Sequence, residues 1–276
     1  MVMSVNTNKS AMIALQNLTG TNRELEVTQN RISTGMKVAG AKDNSAVYAI
    51  AQNMRGDIGA LDSVQQSMAR ATSVIDVALA AGEAVSDLLI QMKEKVVAAN
   101  DQSIDSASRA ALNEDFQAIR DQITTIVENA TFDGTNLVDG SLSGGMTVLA
   151  NAEATNSISI PIETLTVGGS IITVTASSDV GTLSGAQAAL TMVENSAQNV
   201  NAALARLGSL ANQLDTHSVF LTKLEDQLTK GVGNLVDADL ATESARLQAL
   251  QVKQQLGGQS LSIANQAPQA ILSLFN

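Results

Sequence analysis

Few side chains in this sequence of 276 residues could support catalysis or metal binding. His217 is the only histidine, and the absence of cysteine excludes a disulfide, a thiolate metal site and a cysteine nucleophile. A catalytic triad or a zinc site would have to use His217, and no partner at metal-ligand spacing accompanies it. We therefore interpret His217 as a residue on a helix surface.

The remaining candidates for acid–base chemistry are two pairs of adjacent acidic residues, Glu114 with Asp115 and Glu225 with Asp226. Adjacent residues on a helix point in different directions, so these carboxylates do not converge on one site. General acid–base chemistry needs convergent groups in a pocket that excludes water. We expect solvated helix faces, with no enzyme activity, no metal site and no cofactor.

The net charge of −11 argues against binding to nucleic acid, which requires clustered Lys and Arg. The acidity is concentrated mid-chain, since residues 61–140 hold five basic and thirteen acidic side chains. No apolar run is long enough to span a membrane. Residues 1–10 are polar and unlike a secretory signal peptide, so export would need another route.

The composition favours long helices, because 45% of the residues are hydrophobic while only 2% are aromatic and only two are proline. One apolar seam advances by alternating steps of three and four residues without a charged residue, as in a coiled coil. Its twelve positions are Leu61, Val64, Met68, Ala71, Ile75, Ala78, Gly82, Val85, Leu89, Met92, Val96 and Ala99.

Two further seams repeat this spacing, one from Leu112 to Ala130 and one from Leu190 to Leu228, with a slip near His217. A polar break at residues 100–108 separates the first two seams and predicts a helical hairpin. Three such seams can close one bundle at low loop cost. The sequence thus predicts a mainly α fold, a long helical coiled-coil bundle with paired N- and C-terminal helices.

A small β excursion is predicted mid-chain, at residues 141–182, which hold five Gly, many Ser and Thr, and no Lys or Arg. Ile158, Ile160 and Ile162 alternate with other residues, and Pro161 indicates an edge position. Gly168 and Gly169 separate two apolar runs and predict a hairpin at about residues 162–175.

The two ends of the chain carry thin apolar stripes that make a poor core by themselves. Lone helices with narrow stripes rarely hold in water, so we expect these arms to become ordered against other subunits. The predicted residues of inter-subunit packing are Leu15, Leu18, Leu25, Ile32, Leu240, Leu247, Leu250, Leu261, Ala264, Ile271 and Phe275.

Motifs at both ends carry a family resemblance. The N-terminal motifs are NRISTG at residues 30–35 and AKDNSA at residues 41–46, with Asn6 and Asn8 before them. The C-terminal stretch at residues 234–275 reads NLVDADLATESARLQALQVKQQLGGQSLSIANQAPQAILSLF. Together they resemble bacterial flagellin, of a short type with little or no outer domain. The resemblance covers about residues 1–140 and 183–276.

This resemblance implies an extracellular filament for swimming motility, built from flagellin subunits that leave unfolded through the flagellum's own type III secretion channel. It implies that residues 1–45 and 232–276 form the inner filament core, that residues 46–140 and 183–231 form the bundle domain, and that the segment at 141–182 lies on that domain. An export chaperone, a filament cap and hook-junction proteins are the implied partners. In flagellins a hairpin on the bundle domain is linked to the switching that gives the filament its supercoil, and residues 162–175 are the candidate here.

The resemblance also bears on immune recognition and modification. Flagellins sensed by the animal flagellin receptor carry a segment reading LQRVREL, whereas residues 89–95 here read LIQMKEK, so we expect weak recognition. Many flagellins are glycosylated on exposed hydroxyls. The candidates in the β segment are Ser143, Thr155, Ser157, Thr164, Thr173, Ser177 and Ser178.

Two alternatives remain open from the sequence. One is a hook-filament junction protein, which shares the terminal design. The other is a cytoplasmic coiled-coil signalling or adaptor protein, against which the β excursion and the ANQAPQ motif at residues 264–269 argue.

Overall fold

The structure is a computed structural model that describes residues 7–272, with side chains described as far as residue 266. Two predicted packing residues therefore fall outside the description, the side chain of Ile271 and the whole of Phe275. The described elements are α1 (Lys9–Thr34), α2 (Ser45–Ala99), α3 (Ser106–Asn129), β1 (Met146–Leu149), β2 (Ser157–Ile160), α4 (Leu183–Val236) and α5 (Leu240–Leu272). None of the described helices combines the length and apolar character that crossing a membrane requires.

The chain forms two compact units. The arm unit holds the described residues up to Gly56 and those from Gln227 onward, and the bundle unit is Asp57–Asp226. Helices α2 and α4 each contribute residues to both units. The arm unit is formed mainly by α1 and α5, and the bundle unit by the long part of α2, α3, the β segment and most of α4.

The long apolar seam predicted for α2 is confirmed as the core of the bundle unit. All twelve of its positions are buried, and several of them, such as Ile75, Leu89 and Met92, are completely inaccessible. In the second seam Phe116 and Ile123 are buried, and in the third Val193, Val200, Leu207, Leu214 and Leu221 are buried. Burial of this continuous aliphatic seam is the main stabilising term of the unit.

Polar side chains show how the bundle helices run. Lys93 Nζ lies 2.9 Å from Glu194 Oε1, and Gln65 Nε2 donates to Glu225 Oε2 at 3.1 Å, so α2 and α4 are antiparallel here. Lys95 Nζ lies 2.6 Å from Asp115 Oδ2, and Arg109 Nε donates to the carbonyl of Ala99 at 3.0 Å, so α3 is antiparallel to α2. Asp105 caps α3, where its carboxylate accepts a hydrogen bond from the backbone N–H of Ser108 at 2.6 Å.

The β excursion is present, but its hairpin is not where the sequence placed it. Strands β1 and β2 pair antiparallel, with Met146 opposite Ile160 and Leu149 opposite Ser157. The predicted hairpin at residues 162–175 is wrong, because the described structure has no strand in that range and only an isolated parallel bridge between Val167 and Ile172.

Several backbone groups of residues 162–175 find partners outside that range, which explains this correction. Inside the range, the N–H of Gly168 donates to the carbonyl of Val174 at 2.7 Å, but no strand forms. The N–H groups of Glu163 and Leu165 donate to the carbonyls of Leu137 and Val138, at 3.0 and 2.7 Å. The N–H of Thr173 donates to Ser196 Oγ on α4 at 2.9 Å. A backbone group that is already paired cannot join a β ladder.

An ion pair between a buried carboxylate and an exposed guanidinium also holds this segment. The Glu163 carboxylate accepts from Nε and Nη2 of Arg206 on α4, at 2.7 and 2.6 Å. These hydrogen bonds raise the pKa of the Arg206 guanidinium above its ordinary value. The segment is thus held against α4 by side chains as well as by its backbone.

Neighbouring residues of α2 provide a test of the seam. Leu89 is completely buried, whereas the adjacent Ile90 is 56% exposed. We expect Leu89→Ala to lower the free energy of unfolding by about 2–5 kcal/mol, because it leaves a cavity. Ile90→Ala is the matched control and should change it by less than about 0.5 kcal/mol. Chemical denaturation followed by circular dichroism checks both, and equal effects would contradict the assigned seam.

Candidate assembly surface of the terminal arms

Three side-chain contacts set the pairing of the two terminal helices. Asn8 Nδ2 donates to the carbonyl of Ala264 at 2.6 Å, and Gln254 Nε2 donates to Asn22 Oδ1 at 2.8 Å. Arg31 Nη1 lies 2.9 Å from Glu243 Oε1. Positions therefore increase along α1 as they decrease along α5, so the two helices pack antiparallel.

Small and polar side chains occupy much of the seam between these helices. On α1 the less exposed positions include Ala11, Ala14, Leu18, Thr21, Leu25, Thr28 and Ile32, which follow a heptad pattern. On α5 they include Glu243, Leu247, Leu250, Gly257, Leu261 and Ala264. Gly257 permits a close approach, since a Cβ there would lie 3.2 Å from Leu18 Cδ1. The seam buries few large side chains, so it contributes less apolar burial than the α2 seam.

The ion pair between Arg31 and Glu243 lies at one end of this seam. The side chain of Glu243 is only 10% exposed, and its Oε2 has no hydrogen-bond partner within the described residues. A buried carboxylate is costly without its cation, so Arg31 is needed wherever Glu243 is buried. This pair joins the NRISTG motif to the ATESAR segment near the start of α5.

The chain turns that leave α1 and α4 are bonded to each other. Gly35 ends α1 in the left-handed conformation, with φ of 71°, which glycine adopts without strain. Its carbonyl accepts from the N–H of Ala238 at 2.9 Å, and the carbonyl of Val236 accepts from Lys37 and Val38, at 2.6 and 3.2 Å. Two motifs from opposite ends of the sequence therefore form one joint.

Carboxylate and amide caps start the helices on either side of this joint. Asn44 Oδ1 accepts from the N–H of Val47 at 3.2 Å at the start of α2. Asp239 caps α5 by accepting from the Thr242 hydroxyl at 2.7 Å and from the backbone of Ala241 at 3.0 Å. The hydrogen bond from the Thr242 hydroxyl and those from the backbone lower the pKa of Asp239 below its usual range.

The structure divides the predicted packing residues into two groups. Leu15 and Leu240 are exposed. The others that can be described lie on the less exposed faces of the paired helices, namely Leu18, Leu25, Ile32, Leu247, Leu250, Leu261 and Ala264. Sequence reasoning missed the remaining large exposed apolar residues of α1 and α5, which are Met12, Ile13, Val27, Val252, Leu256 and Ile263. Assigning each arm a strict heptad register would have separated the residues on the paired faces from the exposed ones.

Other candidate residues are placed in the bundle unit. His217 lies on α4 with its Nε2 2.7 Å from the carbonyl oxygen of Ala150, at the end of β1, so it helps to hold the hairpin. Within residues 7–272, no three His, Asp or Glu side chains are arranged to hold a metal ion.

The comparisons with known proteins agree with the geometry of the arms. A model of the bacterial flagellin N-terminal helical region matches residues 5–143, and a model of the C-terminal helical region matches residues 190–275. The chain belongs to the bacterial flagellin family. The flagellins FljM and FljK of Caulobacter vibrioides are 48% identical to this flagellin over 272 residues, covering 99% of its chain and 98% of theirs. A flagellin of Brucella melitensis is 36% identical over 286 residues, covering 99% of both chains.

Solved structures show the same fold at lower identity. A putative flagellar hook-associated protein from Vibrio parahaemolyticus has a TM-score of 0.60 at 14% identity, covering 71% of this flagellin and 100% of that chain. Bacillus cereus flagellin has a TM-score of 0.50 at 18% identity, covering 56% of this flagellin and 87% of that chain.

Full-length similarity to flagellins at this identity makes the chain a structural subunit of the extracellular flagellar filament. It favours neither the hook-filament junction protein nor the cytoplasmic adaptor.

The cap at Asp239 of this flagellin gives a pH-dependent prediction. Because its pKa is lowered in the folded state, the cap stabilises α5 above the ordinary aspartate range, and this contribution is lost as the pH falls through the lowered pKa. Asp239→Ala should lower the helix content and the thermal midpoint of the arms at about pH 6, and the difference should shrink towards about pH 2. Asp239→Asn, which can also cap, is the control. A difference that does not vary with pH would contradict this assignment.

Proposed function

We propose that subunits of the filament join through the exposed apolar faces of the arms, so that each added copy covers residues that a single copy leaves in water. The observation that supports this is the exposure of Val252, Leu256 and Ile263 on α5. They are spaced by four and seven residues and therefore lie on one face of the helix. This face is nearly opposite the one that includes Leu250 and Leu261.

The exposed apolar residues of α1 form a different surface. Met12, Ile13 and Val27 lie on the side of α1 away from Leu18 and Leu25. The exposed apolar faces of α1 and α5 therefore differ from each other. This difference favours a contact in which one face of a subunit meets the other face of its neighbour. Such heterologous contacts build an open helix when their rotation does not close, which is the geometry that a filament needs.

Substitutions on the outer face of α5 test this proposal. We expect Leu256→Gln together with Ile263→Gln to raise the critical concentration for elongation at least about tenfold, because each large apolar side chain contributes about 1.5–3 kcal/mol when buried. Gln251→Ala, at an exposed position on a different side of α5, is the control and should leave it unchanged. Sedimentation of seeded polymer measures the critical concentration. Normal elongation of the double variant would contradict the assignment of this face.

The same surfaces give the other proposed partners a physical role. An export chaperone would cover the apolar arm faces before assembly, since an exposed apolar face favours association with any complementary surface. The filament cap and the hook-junction proteins would meet these faces at the two ends of the polymer. Export as an unfolded chain fits the absence of cysteine, because no disulfide can form during transit.

Glycosylation of the β segment is proposed for the hydroxyls that water reaches. Ser143, Thr155, Ser157 and Ser177 are exposed, and Thr164 is half-buried. Thr173 donates its hydroxyl proton to the carbonyl of Met192 at 2.9 Å, and Ser178 is buried, so these two are poor acceptors of a sugar. We expect the intact mass of the filament protein to exceed that of the bare chain, with the added mass on peptides containing the four exposed residues. A mass equal to that of the bare chain would refute this.

Weak recognition by the animal flagellin receptor is proposed from residues 89–95. Leu89 and Met92 are buried in the bundle, which leaves Gln91 and the ion-paired Lys93 and Lys95 among the polar residues on the surface. These side chains cannot replace the arginine fork and apolar anchor of LQRVREL. We expect purified monomer to activate the receptor only far above nanomolar concentration, as measured in receptor-expressing reporter cells. Nanomolar activation would refute this.

A further inference from the structure

The formal charges of this flagellin are divided unequally between its two units. The arm unit holds nine basic and six acidic side chains, a net charge of +3. The bundle unit holds seven basic and twenty-one acidic side chains, a net charge of −14. The arms are thus the cationic part of an acidic chain, so cations of the arms that lack a partner need an explanation.

Three arginines of the arm unit surround one cavity. This cavity has a volume of about 200 Å³ and is lined by Arg23, Glu24, Val27, Thr28, Arg31 and Arg246. Arg31 is paired with Glu243. Arg23 and Arg246 are exposed, and among the described residues neither forms an ion pair. The cavity has room for one further carboxylate side chain.

The cavity coincides with the surface that assembly would cover. Val27 is one of the exposed apolar residues of α1 and also lines the cavity. A second copy that packs on Val27 therefore takes the neighbouring guanidinium groups out of water as well. Removing an unpaired cation from water is costly, whereas an arginine paired in a fork with a carboxylate is tolerated at an interface. The second copy must bring an acidic group.

The arm unit offers one clear source for that group. Asp43 and Asp239 accept hydrogen bonds from backbone N–H groups, Asp237 lies in the joint opposite Met36, and Glu243 is paired with Arg31. Glu24 already lines the cavity. Glu26 is exposed, has no ion-pair partner among the described residues, and lies on α1 one residue from Val27. A neighbour that packs on Val27 with the Glu26 side of its own α1 brings this carboxylate against the two arginines.

We infer that the cavity between Arg23 and Arg246 receives the carboxylate of Glu26 from a second copy of this chain. The inference rests on the proposed assembly through the arms. It adds a polar contact to the apolar one, and this contact specifies which parts of two arms meet, because a misplaced neighbour would leave the two arginines unpaired.

Charge exchange in the full-length chain tests this inference. Arg246→Glu and Glu26→Lys are each expected to raise the critical concentration for elongation at least tenfold. The exchanged variant, which carries both substitutions, should return to within about threefold of the unmodified chain. Lys253→Glu is the matched control, because Lys253 is an exposed cation of α5 that does not line the cavity. Circular dichroism checks that each unassembled variant keeps the helix content of the unmodified chain, and Arg246→Gln replaces Arg246→Glu if that variant loses helix.

Each outcome decides the matter. Recovery in the exchanged variant, with little effect of Lys253→Glu, supports the pairing. A loss in Arg246→Glu without a loss in Glu26→Lys would overturn it, since the arginines would then meet another anion, such as a carboxylate of a neighbouring bundle unit. Unchanged elongation in every variant would overturn it as well. If the unmodified chain itself forms no filaments, the proposed assembly through the arms is wrong. If the unmodified chain and all variants elongate equally well, the assembly proposal stands and only the pairing of Glu26 with the arginines is wrong.

Discussion

The pairing of α1 with α5 is the constraint on which the assembly surface depends. The two helices meet through a seam rich in Ala, Thr and Gly, and its register is set by polar contacts at Asn8, Asn22 and Arg31. Polar contacts fix register well but add little net stability. Other large apolar residues of the arms, such as Leu256 and Ile263, are thereby left on their outer faces. The surface that a neighbouring subunit would cover thus consists of the apolar side chains that the seam between α1 and α5 does not bury.

The two units differ in how they are stabilised. In the bundle unit an unbroken aliphatic seam is buried along α2, and smaller seams on α3 and α4 face it. The arm unit buries fewer large side chains and keeps Leu256 and Ile263 in water. Because stability is concentrated in the bundle unit, the arm unit can become ordered at the point when the subunit joins a polymer. Local unfolding costs the least free energy where the least apolar surface is buried. This division suits a subunit that must stay single before it is added to a polymer.

Sequence reasoning succeeded where one physical term dominated. The apolar residues of the α2 seam follow a strict spacing that places them all on one face of the helix. Only that face can be buried, so all twelve positions could be predicted. It failed for the hairpin, because β1 and β2 are joined by residues 150–156, which carry no two-residue turn signal, whereas Gly168 and Gly169 do carry one. The contacts of Leu137, Val138 and Ser196 with the later segment leave no trace in its own pattern. In the arms, a thin stripe could not reveal which face turns toward the other helix and which toward a neighbour.

The joint between the two motifs rests on main-chain atoms. The bonds from Lys37 and Val38 to Val236, and from Ala238 to Gly35, involve peptide groups that every non-proline residue supplies. Side chains at most of these places can drift over generations without dismantling the joint, provided that glycine or a substitute tolerant of positive φ remains at position 35. A chain of this family can therefore change many of its side chains and still keep this joint, which lies within one subunit.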